Sequence, residues 1–183
     1  MTTLLSTVVL LAALVALTGL GPSLAVAPTR TTALALAPAM TGIACSLAVA
    51  ASVLTGTPLV PWLILAAVLG WATAWNRRVT RPAVADPGTE RWTLVTSWLV
   101  ALVPLALIAY PATGGDARAN FWLHASWFLA GGDAARTAME NPAYAYTHPA
   151  YPPLVPGLIA SVWRMSGGHD REVALRVGQL VTA

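Results

Sequence analysis

Asp116 stands directly after Gly114-Gly115, at the head of the stretch GGDARANFWLHASWFLAGG. A carboxylate there has two uses. It can cap a helix by accepting hydrogen bonds from the first free N–H groups. It can also act as a general base that takes a proton from a hydroxyl. At about 100° per residue, Asp116, Asn120, His124 and Trp127 fall within roughly 80° of one another on a helix. Phe121, Trp122, Ala125, Phe128 and Leu129 fall on the other side. The pattern predicts a short amphipathic helix that lies flat at a membrane interface. Arg118 sits near the edge of the apolar side, where its stem can snorkel toward phosphate headgroups. His124 reads either as interfacial packing or as a site residue. Trp122, Trp127 and Phe128 read as a membrane anchor ahead of a sugar-stacking platform.

The next stretch is GGDAARTAMENPAYAYTHPAYPPLVPGLIASVWRMSGG. Its Asn-Pro, His-Pro, Tyr-Pro-Pro and Val-Pro steps hold the backbone extended or turned. Tyr144, Tyr146, His148 and Tyr151 are spaced along that stiff loop. It serves either as a wall of a substrate site or as a rigid connector. From about Leu154 to Met165 a second short apolar helix follows, too short to span and suited to an interfacial or re-entrant position.

The elements that must position these residues are apolar. The chain has 183 residues, 57% hydrophobic and 9% charged, whereas a soluble domain carries about 25% charge. Four apolar segments approach the ~20 residues that a helix needs to cross the hydrocarbon core. They cover roughly 4–20 (extending toward Ala27), 33–54, 59–75 and 94–110. Gly21-Pro22 and Thr57-Pro58 punctuate them, and Pro38 and Pro104 lie inside them. Lipid permits only helices for such segments. The fold class is therefore all-α: a multi-span transmembrane helical bundle over residues 1–111. An external loop with short interfacial helices follows over 112–169, and a further, truncated span begins at 170–183. The N-terminal MTTLL lacks the positive charge of a signal peptide, so the first segment reads as a retained span. Asp170 is a candidate N-cap for the last segment, and the chain reads as part of a longer multi-span protein.

Charge sets the orientation. Arg77, Arg78, Arg81 and Arg91 crowd the loop at 76–92, which places that loop in the cytoplasm. Residues from Pro111 to about Asp170 then lie outside. All ten basic residues are arginines, but they are scattered without interleaved aromatics, which argues against nucleic acid as a partner. Cys45 is the single cysteine, so no disulfide within the chain and no cysteine metal site arises. The spans hold no Asp, Glu, Lys, Arg or His, which argues against a proton-coupled carrier.

The segment from Asp116 to Ala183 resembles the glycosyltransferase C superfamily, integral membrane enzymes that use polyprenyl-phosphate sugars. Three features carry the resemblance: the Asp leading into an aromatic helix in GGDARANFWLHA, the run HPAYPPLVPGLIA, and the arginine at the start of a further span in REVALRVGQLV. The resemblance implies transfer of a sugar from a polyprenyl-phosphate donor to an acceptor hydroxyl on the external face of the membrane. It implies Asp116 as the catalytic base. Arg176, then Arg118, would stabilise the departing phosphate. His124, His148 and Tyr151 would contact substrate. No cofactor and no metal ligand set are expected. The expected partners are the donor and membrane lipids, and the expected location is the bacterial plasma membrane. A rival of another class is a non-catalytic membrane subunit of a cell-envelope polysaccharide assembly or export system.

The arginine cluster makes the orientation testable. A reporter fused between residues 77 and 91 should read as cytoplasmic, and one beside Asp133 as external. The reverse pattern would place the Asp116 region in the wrong compartment for an external transferase.

Overall fold

The computed structural model describes residues 2–80, 117–149 and 153–168, together with 170, 172, 173 and 177. Among them there are helices and no strand. Helix α1 (Thr2–Leu14) passes through a π-helical turn (Val15–Gly19) into α2 (Leu20–Val26). Next come α3 (Arg30–Thr55) and α4 (Leu59–Thr80). A second π-helical turn (Ala117–Trp122) leads into α5 (Leu123–Ala130), followed by α6 (Gly132–Glu140). A 3-10 helix (Pro142–Thr147) and α7 (Leu154–Ser166) complete the order. Three helical stretches, Leu5–Val26, Arg30–Thr55 and Leu59–Arg78, are long and apolar enough to cross a membrane. The chain is an all-α membrane protein. The fourth apolar segment, at 94–110, lies outside the described residues, as does most of the 76–92 loop. The helix of the third span continues to Thr80, past the expected end near Trp75.

Local signals explain the span ends. Thr29 caps α3, its Oγ1 accepting from Thr32 N at 3.2 Å. Gly56 ends α3 in the left-handed conformation at φ 72°, where a Cβ would be strained. Ser52 Oγ then donates to Thr57 O at 2.6 Å across the turn. Gly21-Pro22 does not punctuate the first span, contrary to the sequence reading. The helix runs through it to Val26. The π-helical turn just before it bonds Leu20 N–H to Val15 O, and such a bulge is a usual place for a helix to absorb a proline.

Small residues bring the spans together. A Cβ on Gly21 would lie 2.7 Å from Gly70 C of α4, and one on Gly70 would lie 2.7 Å from Pro22 Cγ. Such backbone-to-backbone approaches replace the hydrophobic drive that lipid removes. Large apolar side chains such as Leu47, Leu54, Ile64 and Trp75 point outward from the bundle, as lipid-facing residues do.

The short helices do not simply rest on the bundle. Residues from Pro156 to Trp163 in α7 are buried without a break. Gly157 approaches Val49 and Cys45 of α3, and Ser161 Oγ lies 3.5 Å from Cys45 Sγ. Cys45 is about 15 Å along the helix from Thr55 at the usual rise. Helix α7 thus packs alongside α3.

Helix α6 has no counterpart in the sequence reading. Gly132 N donates to Thr57 O at 3.1 Å, and Arg136 donates to Val53 O and Leu54 O at the end of α3. The α3–α4 turn thus carries α6 at the opposite end of α4 from Arg77 and Arg78.

A methyl group at Gly132 would meet the backbone of Ser52 and Thr57, which cannot step aside. Gly132→Ala should destabilise the chain in detergent by about 1–3 kcal/mol, the usual cost of overpacking. Alanine replacing Gly168, which has open space around it, is the control. Equal chemical-denaturation midpoints for the two variants would show that α6 does not dock through Gly132.

Candidate functional site

The buried polar groups of the described part of the Asp116-to-Tyr151 region, Asn120, His124 and Thr147, lie on or beside α5. Helical geometry places Asn120 and His124 on one face, and both are buried, at 6% and 1% exposure. Ala125, Phe128 and Leu129 are buried as well. The helical-wheel reading, with one face to lipid and one to water, therefore does not describe this helix. Both faces are covered because α5 packs on α6 and α7 and touches α3.

His124 is held through a relay. Its Nε2 lies 3.1 Å from Thr147 Oγ1. The Thr147 hydroxyl donates to Tyr144 O at 2.7 Å. That hydroxyl has one proton and has spent it, so it accepts from His124. The neutral ring therefore carries its proton on Nε2 and its lone pair on Nδ1. Burial lowers the pKa of His124 below the ordinary histidine value, an effect partly offset by the hydrogen bond to Thr147. Trp127 packs on the ring with centroids 4.6 Å apart, and Tyr144 meets Trp127 at 5.2 Å. The partner Thr147 is fixed by the 3-10 helix. Asn141 caps that helix through Oδ1, which accepts from Ala143 N at 3.0 Å, and Pro142 pre-sets its first turn.

His148 ends the 3-10 helix with φ 49° and ψ 63°. It is the one non-glycine residue with positive φ among the described residues, and it is exposed. The structure thus brings His124 and His148 to the same short helix, one through Thr147 and the other as its cap. Tyr144 packs inward, while Tyr146 is exposed. Arg118 lies in the π-helical turn, two residues before Asn120. Asp116, Tyr151 and Arg176 lie outside the described residues. Asp170 caps a backbone turn as expected, its Oδ1 accepting from Glu172 N at 2.8 Å.

Asn120 differs from the other members. Its Oδ1 is buried without a hydrogen-bond partner among the described residues. Sequence reasoning set Asn120 on the polar stripe but missed Thr147, whose contact with His124 spans 23 positions and leaves no local signal. Chemically the cluster is neutral and offers acceptors. Among the described residues no group of three or more His, Cys, Asp or Glu side chains is placed to hold a metal ion. Comparison with family models, with curated proteins and with solved structures returns no match for this chain.

A histidine kept neutral by burial links stability to pH. The unfolded chain binds the proton more readily than the folded one, so the stabilising contribution is present above the ordinary pKa of about 6.5. It is lost as pH falls through that value toward the lower folded one. The stability advantage of the native chain over His124→Gln should therefore shrink between pH 7.5 and pH 5, read by thermal denaturation in detergent. An advantage that grows on acidification would mean that His124 is charged in the fold.

Proposed function

We propose that this chain forms part of an integral membrane glycosyltransferase that moves a sugar from a polyprenyl phosphate to an acceptor hydroxyl outside the membrane. One observation carries the reading most directly. The helical turn Ala117–Trp122 runs straight into a buried, neutral, hydrogen-bonding cluster, in a protein rich in apolar spans. A neutral polar cluster enclosed by aromatic rings suits a sugar, which is uncharged, rich in hydroxyls and apolar on its ring faces. Helix α7, lying alongside α3, puts the same region within reach of a lipid chain held in the bilayer.

In this proposal Asp116 takes the proton of the acceptor hydroxyl. The acceptor oxygen then bonds to the anomeric carbon as the bond from that carbon to the phosphate oxygen breaks. The lipid phosphate leaves with the bonding electron pair. Its charge is met by Arg176, with Arg118 second, since a guanidinium matches phosphate oxygens bidentately. His124, His148 and Tyr151 line the sugar.

The two uses of Asp116 separate under substitution. Asn caps a helix about as well as Asp, so a capping role tolerates Asp116→Asn. A base does not, because the amide cannot accept the proton, and such losses run about 10²–10⁴-fold. In the full-length protein the Asn variant should insert at normal abundance and lose transfer from polyprenyl-phosphate sugar by at least about 100-fold. Near-normal transfer would return Asp116 to a capping role.

A further inference from the structure

Several buried hydroxyls in this fold find partners close by. Thr18 donates to Leu14 O at 2.8 Å, Thr41 to Ala37 O at 2.8 Å and Ser161 to Gly157 O at 2.7 Å. Two buried side-chain atoms have no partner among the described residues, Ser23 Oγ in the first span and Asn120 Oδ1, and of the two only Asn120, at 6% exposure, stands beside the His124 cluster. A buried acceptor left unpaired costs free energy, and native folds hold few of them. An apolar side chain of the same size would remove the cost. The amide sits one helical turn before His124, whose partner hydroxyl on Thr147 has no proton left to offer. The neighbouring side chains of the cluster, His124, Thr147, Trp127 and Tyr144, leave Asn120 Oδ1 without a donor.

We propose that Asn120 is a specificity-determining residue whose amide is reserved for one ring hydroxyl of the bound sugar. The assignment rests on the glycosyltransferase reading. A hydroxyl fits better than an ammonium group, because it both donates and accepts and so satisfies the amide in either orientation. A buried group built to meet a hydroxyl rejects the analogue that lacks it, since the amide then stays unpaired in the complex.

The test uses the full-length protein in lipid nanodiscs. The probes are polyprenyl-phosphate mannose, arabinose and aminoarabinose, and the monodeoxy analogues of whichever binds. One monodeoxy analogue should bind the native protein about tenfold or more weakly than its parent. Asn120→Leu should bind that analogue and the parent equally, and Asn120→Asp, which keeps an acceptor in place, should retain the discrimination. Without sugar, Asn120→Leu should melt above the native protein, because it removes an unsatisfied polar atom. A lower melting temperature for the Leu variant would overturn the assignment, as would discrimination that survives in it. Native protein that binds a probe but ignores every deoxy change would overturn the assignment alone. Native protein that binds none of the three would overturn the transferase reading and this assignment together.

Discussion

Helix ends are the difficulty that this structure must solve. The last carbonyls of a helix have no partner within it, and an apolar bundle offers little water to supply one. Arginines meet the need at three places. Arg77 donates to Ala25 O near the end of α2. Arg136 donates to Val53 O and Leu54 O at the end of α3. Arg164 donates to Leu129 O at 2.7 Å near the end of α5. Each places a cation where the helix dipole is negative. Each also ties two elements together: α4 to α2, α6 to α3, and α7 to α5. The short helices around the candidate site are hung on the spans by these contacts.

The polar cluster depends on that suspension. Gly132 and Arg136 dock α6 on the α3–α4 turn, and α5 is drawn down with it through the Gly131-Gly132 link, where Gly131 holds a positive φ and Gly132 lies against the backbone of Ser52 and Thr57. Helix α7 fills the other flank, buried from Pro156 to Trp163. Only with both flanks covered are Asn120 and His124 removed from solvent. Burial then does the chemistry of the cluster: it keeps His124 neutral and leaves the Asn120 amide without a partner among the described residues.

Much of the fold is legible because lipid simplifies the code. A long apolar run must be a helix, so the first three spans read directly from composition. The chain turns at Gly56 and at Thr29 for reasons visible in single residues. The short segments are harder. GGDAARTAMEN carries no apolar stripe, and its helix exists because Gly132 and Arg136 meet backbone groups of another span. For α5 a wheel drawn on the sequence divides polar from apolar, but it cannot know that a third helix covers the side assigned to water. The candidate site was legible as a region and in the identity of His124 and Asn120. Its hydrogen-bond logic was not, because Thr147 acts across 23 positions.

The same accounting bears on where a lipid phosphate can be received. The chain has ten arginines and no lysine. Arg77, Arg136 and Arg164 are engaged with backbone carbonyls at helix ends, and moving any of them to a phosphate would release the element it holds. The cluster itself is uncharged. A phosphate bound beside it therefore needs cations from elsewhere, and Arg118 belongs to the helical turn that carries Asn120. Arg176 follows Val173, a buried residue just beyond the Asp170 cap. A division of labour results in which Arg77, Arg136 and Arg164 build the scaffold at helix ends while the buried cluster around Asn120 and His124 stays neutral.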